Sequence, residues 1–431
     1  MFLSATMLWI GCQAEPTSFH FNVVAKKTSE GENGNFSEQQ VKDVGNILTA
    51  MFGTPEQPAF PNAQSFHWVL EMEEAPYADK LAKLVEIENL QRSAGPVSTD
   101  ENGVSQGLYR EHCAHCHGIT GDGAGPTAMT LDPYPRDFRN GVFKFKSTTG
   151  KFRPTDEDLM RIINEGVHGT AMPSFKVALE QSEKEALVDY IKYLSIRGEV
   201  EMTLWDLTSM LEKEGRLPLA FEKTFEPISD DEYDNMPDED PEKIARDELY
   251  EWFAENGMRI EKIFNSWINA NKKSSLTKTT PPPASFATDH PEHYKMIDNG
   301  RRLFHGKKLG ACTQCHGDTG YGDGELGNYD IWNKWAKGKN KELIAEYESL
   351  GVLPPRNIAP RNFRNGVFRG GRDAIQLFYR IKNGIQGSEM PGAATLTDEE
   401  IWCLVAYVRS IKSEPITGGH LAKPVNDKPI N

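Results

Sequence analysis

The sequence predicts an all-α protein: two similar helical domains joined by a helical, acidic middle segment, with a small helical region ahead of them. Three observations predict this. A five-residue motif occurs twice, as Cys113-Ala-His-Cys116-His117 and Cys312-Thr-Gln-Cys315-His316. Longer stretches around each copy repeat in the same order. Between these landmarks the apolar residues recur at helical spacing.

The motif itself is the most specific signal. Cys-x-x-Cys-His is the attachment pattern for c-type haem, in which both thiols bond to the porphyrin and the histidine coordinates the iron. A zinc knuckle would need its cysteine pairs roughly 15–20 residues apart, whereas Cys116 and Cys312 are 196 positions apart. A thioredoxin-like pair needs a βαβ setting and no adjacent histidine. The expected cofactors are therefore two covalent haem c groups, held by Cys113, Cys116, Cys312 and Cys315, with His117 and His316 as iron ligands.

The repeat extends well past the motif. Arg136-Asp-Phe-Arg-Asn-Gly-Val-Phe143 returns as Arg361-Asn-Phe-Arg-Asn-Gly-Val-Phe368, with seven of eight positions identical. Gly169-Thr-Ala-Met172-Pro173 returns as Gly387-Ser-Glu-Met390-Pro391. Each half then closes with an apolar-periodic helix, expected over 182–197 and 397–411. Ser182 with Glu185, and Thr397 with Glu400, read as capping boxes. The second half carries 26 extra residues between its haem motif and the Arg-x-Phe-Arg-Asn-Gly block, near 328–354. This insert, with Trp332, Trp335 and a helix-like 340–350, reads as a packed insertion or a partner-docking element.

Other elements follow from pattern. A helix is expected over 37–52, a Pro-rich turn over 53–61 and a second helix over 78–92. The middle segment starts amphipathic near Met202, turns acidic over 230–242 and becomes a long helix over 241–271. Thr279-Thr-Pro-Pro-Pro283 is a stiff linker into the second half. The chain thus divides into 1–35, a signal and tether; 36–98, helical; 99–200, the first haem domain; 201–284, the connecting segment; 285–415, the second haem domain; and 416–431, a tail.

The occupant of the sixth iron position decides the chemistry. Methionine there raises the potential and closes the iron to substrates. Met172 and Met390 are the candidates because they coincide in the repeat. Met129, Met160 and Met202 have no counterpart in the other half, and methionine is commonly core filling. His168 lies near the first loop, but Gln386 stands in its place in the second. His112, His115 and His305 sit beside the motifs.

These features resemble class I cytochrome c domains over roughly 100–200 and 290–413, and the whole chain resembles a bacterial dihaem cytochrome c of a respiratory chain. The resemblance implies a terminal helix bearing an aromatic (Tyr190, Tyr193; Tyr407) that crosses an N-terminal helix contributing Tyr109 or Phe304. Gly121–Gly123 and Gly322–Gly324 fit the family's loop after the haem motif. The insert, the N-terminal region and the middle segment depart from the pattern. Arg136 and Arg361 are open to either haem-propionate pairing or a surface role.

Composition narrows the partners. The net charge of −15 argues against nucleic acid, whose phosphates need a basic footprint. It suits either plain solubility or docking to a lysine-rich patch on a redox partner. No run of 18 apolar residues exists. The apolar run before Cys12, though without a positive leading charge, resembles a lipoprotein signal that would anchor the chain by lipid at Cys12. Cys403 reads as a small core residue. The expected activity is electron transfer, not catalysis, between respiratory partners such as a quinol-oxidising complex and a terminal oxidase or reductase. The expected place is the periplasmic, extracytoplasmic face of a bacterial membrane. A dihaem peroxidase and a permanent subunit of a larger oxidoreductase are the alternatives.

Overall fold

The structure is a computed structural model describing residues 18–31, 34–61, 81, 83–150, 152–211, 215, 233–306, 312–417 and 420–421. It is mostly helical, and the strand content of the described residues is two antiparallel pairs of two-residue strands, Ser98–Thr99 with Ser105–Gln106 and Ile416–Thr417 with His420–Leu421. Cys12, residues 62–80, residues 230–232 at the start of the acidic stretch and the tail beyond 421 lie outside the described residues. None of the described helices is long and apolar enough to cross a membrane.

In the first half, α1 (Val23–Glu30) leads to α2 (Glu38–Phe52). Ser37 caps α2 in a reciprocal box with Gln40, which satisfies two N-terminal N–H groups. Then come α3 (Ile87–Ser93), α4 (Leu108–His112), α5 (Ala114–His117) and α6 (Asp156–Glu165). Except for the short α5, they pack against α7 (Gln181–Thr208). Its apolar residues, including Leu187, Tyr193, Ile196, Leu204 and Trp205, are buried on every side, as expected for a helix surrounded by others.

Two sequence expectations change here. The cap of α7 is Glu180 with Glu183, not Ser182 with Glu185; the Ser182 hydroxyl instead accepts from Arg92. And α7 does not stop near 197 but continues to Thr208, carrying the chain through position 200. The polar residues around that position are buried in pairs. Glu199 accepts from the Trp267 indole at 2.9 Å and pairs with Arg153, and Arg197 pairs with Glu201 at 3.4 Å. Buried charges persist when partnered in this way.

The middle segment contributes α8 (Pro241–Ile268), begun by Asp240 at the N-cap and Pro241 in the first turn. Phe264 and Trp267 of α8 join the core of the first half. The chain after α8 is pinned to both halves. Thr277 N–H donates to Ser147 O at 2.9 Å, and Asn383 reaches Thr277 Oγ1 at 2.6 Å.

The second half contains α9 (His293–His305), α10 (Cys312–His316), α11 (Lys341–Ser349), α12 (Ala374–Asn383) and α13 (Asp398–Ser410). Thr397 and Glu400 form the capping box of α13 as expected. Helices α9 and α13 cross at Gly300, where a Cβ would lie 2.0 Å from the Cys403 carbonyl oxygen. The crossing therefore needs glycine, and Cys403 is a buried core residue.

Candidate functional site

Both motif copies are single helical turns, α5 and α10, and the chain reverses after each at a glycine. Gly118 and Gly317 have φ of 73° and 72°, which glycine adopts without strain. The next contacts repeat bond for bond. Gly123 N–H donates to His117 O, and Gly322 N–H to His316 O, each at 2.9 Å. Phe138 N–H donates to Gly121 O, and Phe363 N–H to Gly320 O, each at 2.8 Å.

These bonds fix each histidine. His117 Nδ1 is 2.9 Å from Arg136 O, and His316 Nδ1 is 3.2 Å from Arg361 O. With the proton on Nδ1 the imidazole donates to that carbonyl, leaving the Nε2 lone pair for a metal. Phe138 stacks on His117 with ring centroids 4.7 Å apart, and Phe363 on His316 at 4.5 Å. Burial lowers the His117 imidazole to about 4, and lowers His316 as well. Burial thus favours in both rings the neutral form, the one that coordinates iron. None of the four motif cysteines is paired in a disulfide, so each sulfur is available for a thioether bond to a porphyrin.

The methionine loops match too. Val167 N–H donates to Met172 O and Ile385 N–H to Met390 O, each at 3.1 Å. The Thr170 and Ser388 hydroxyls accept from the Met172 and Met390 N–H groups at 3.2 and 3.3 Å. One continuous cavity of about 1900 Å³ is lined by Cys113, Cys116, His117 and Met172 from the first half. The same cavity is lined by Cys312, Cys315, His316 and Met390 from the second. Its volume is about twice the upper range of about 1,000 Å³ for a single-ligand pocket. The aromatic crossing is present in both halves, with Tyr109 against Tyr190 at 4.8 Å and Phe304 against Tyr407 at 5.4 Å.

The competing ligands are placed differently. His168 is exposed and Met129 is 53% exposed. Met160 packs on the core, and His305 lies within reach of the Tyr407 hydroxyl. Met202, His112 and His115 do line the cavity but have no equivalent in the second half.

The cavity wall suits a macrocycle that is apolar in its body and carries carboxylates. Its faces are aromatic and aliphatic. Tyr134 Oη, Trp335 Nε1, Arg361 Nε and Arg369 Nε are buried along it without a hydrogen-bond partner among the described residues. Buried donors of this kind need an acceptor.

Sequence reasoning did not foresee how the halves meet. The insert packs onto the first half. Its Trp332 indole donates to Asp137 O at 3.2 Å, Asp330 pairs with Lys144 at 3.2 Å, and Trp335 stacks on Tyr347 within the insert at 4.6 Å. Just beyond it, Arg356 donates to Met129 O at 2.9 Å. Between plain packing and partner docking, the element is engaged inside the molecule. A reciprocal contact lies beside it. A Cβ at Gly169 would meet Val367 at 2.8 Å, and one at Gly387 would meet Val142 at 3.0 Å. These are the same two repeat positions with the halves exchanged, the signature of a two-fold interface. The unexplained eight-residue repeat was the sequence signal for this surface.

A helical fold with two such centres defines a c-type cytochrome. Residues 104–191 match the family described as cytochrome c oxidase, cbb3-type, subunit III, and residues 297–412 match the cytochrome c family. The chain is a dihaem c-type cytochrome with two covalently bound haem c groups, and its activity is haem-based electron transfer. No curated protein matches the chain. Among solved structures it is similar to a reducing HAO-like protein complex of Kuenenia stuttgartiensis, with 24% identity over 73% of this chain and 97% of that one and a TM-score of 0.44.

Proposed function

We propose that the protein is an electron carrier and not a catalyst, with His117 and Met172 as axial ligands in a domain spanning 99–200, and His316 and Met390 in one spanning 285–415. The observation that carries this reading is the bond-for-bond equivalence of the two histidine and methionine loops. A peroxidase would need one centre built to open its sixth position; that both methionine loops are held by the same hydrogen bonds supports two alike centres instead. Haem supplies one-electron exchange at iron, and methionine ligation favours the reduced state. The chain's part is to orient each imidazole through Arg136 O and Arg361 O, to hold each methionine loop by a hydroxyl, and to exclude water with aromatic walls.

The carrier is assigned to the extracytoplasmic face of a bacterial membrane, where export allows covalent haem attachment. Lipid at Cys12 would confine it to the plane of its respiratory partners, a quinol-oxidising complex and a terminal oxidase or reductase. The acidic surface would steer it to basic patches on them.

Absorption and paramagnetic resonance spectra of the purified protein, together with a peroxide assay, test the reading. Two low-spin His/Met haems without peroxide turnover are expected. A high-spin haem that consumes peroxide would overturn the carrier in favour of an enzyme.

A further inference from the structure

The eight-residue repeat is followed in each half by one more cation, Lys144 after Phe143 and Arg369 after Phe368. With Arg136 and Arg361 this makes two copies of one pair, and the interface brings all four to the wall of the common cavity. Lys144 lies within electrostatic reach of both Arg136 and Arg369, and Arg369 within reach of Arg361.

The carboxylates do not balance these charges. Asp330, which pairs with Lys144, and Asp137, which is engaged by Arg139 at 2.9 Å, are the two acids within reach of Arg136. Asp132, the remaining acid near Arg369, is exposed. The Arg136 guanidinium lies against the Trp332 ring at 3.5 Å, which offers a π face but no anion. Arg361 Nε and Arg369 Nε are buried without an acceptor. A buried guanidinium N–H without an acceptor is costly, and the fork geometry of the group matches carboxylates.

We infer that Arg136, Lys144, Arg361 and Arg369 form one inter-domain cluster that receives propionates from both haems and thereby couples the two redox centres electrostatically. This rests on the reading that each haem is held between its own histidine and methionine in this cavity. Each haem gains one electron on reduction, lowering its net charge by one. A cation shared by both centres stabilises the reduced form of either. A cation belonging to one haem acts on that haem alone.

The test is a spectroelectrochemical titration of the holoprotein and of Arg369→Gln, Lys144→Gln and Arg369→Lys. Both midpoint potentials are expected to fall in Arg369→Gln and again in Lys144→Gln, although the two positions lie in different halves. Arg369→Lys, which keeps the charge, should hold both close to their original values. Low-spin His/Met spectra with only one potential moved, or neither, would overturn the shared cluster while leaving the ligand assignment standing. Wild-type spectra without two His/Met signals would remove the ligand reading beneath it.

Discussion

The guanidinium carbon of Arg136 stands 3.5 Å from the centre of the Trp332 ring, so a residue that orients the first histidine is clamped by the insert of the second half. Trp332 also hydrogen-bonds to Asp137 O and fills the space beside Gly387. Removing it loses a cation–π contact and a large half-buried ring. Trp332→Ala is expected to weaken the joint between halves by about 3 kcal/mol. Calorimetry should then show two separated thermal transitions in place of a merged one. A single unshifted transition would mean that the insert does not hold the halves together.

Each methionine should govern its own iron. Met172→Ala is expected to lower one midpoint potential and leave the other nearly unchanged, and Met390→Ala to do the converse. Absorption spectra during redox titration check this. If neither change alters the spectrum, the sixth ligand is another group, and Met202 or His112 on the cavity wall becomes the next candidate.

The close crossing of α9 and α13 leaves no room at Gly300. Gly300→Ala places a methyl group against the Cys403 carbonyl and should destabilise the second half by about 3 kcal/mol through overpacking. Thermal melts read at the second haem should drop while the first is spared. An unchanged melting point would show that the helices part without cost.

Asp398 ties the linker to the second half, accepting from Thr280 N–H at 2.7 Å and pairing with Lys382. Burial pushes its carboxyl up, but the Lys382 ammonium and the Thr280 N–H outweigh this and hold it below the ordinary carboxylate value. A carboxyl whose value is depressed on folding contributes stability above its unfolded value of roughly 4, lost as pH falls through the folded value. Wild type should therefore lose more stability than Asp398→Asn between neutral and strongly acid pH. Parallel acid-denaturation curves would contradict this.

How much of this was legible in the sequence depended on range. The thiols, both histidines and both methionine loops are short local patterns, and the repeat singled out Met172 and Met390 from the other methionines. Helix starts were readable where a hydroxyl caps them, as at Ser37 and Thr397. The start at Glu180 was missed because a glutamate is a less usual cap than the nearby Ser182. The continuation of α7 past Arg197 was missed because Arg197, Glu199 and Glu201 look like a solvated end, and only tertiary partners bury them. The meeting of Gly169 with Val367 and of Gly387 with Val142 is a relation between surfaces, and a repeated string does not say which faces touch.

The reciprocal contact between halves has a consequence for dilution. Two separate chains meeting through such a patch would obey mass action, and at low abundance most would be alone. Here α8 and the chain after it bind the two copies into one molecule, so their encounter is intramolecular, with an effective concentration on the order of millimolar for a short tether. The pairing of the two haem domains is therefore set by covalent connectivity, and it holds at any protein concentration in the cell.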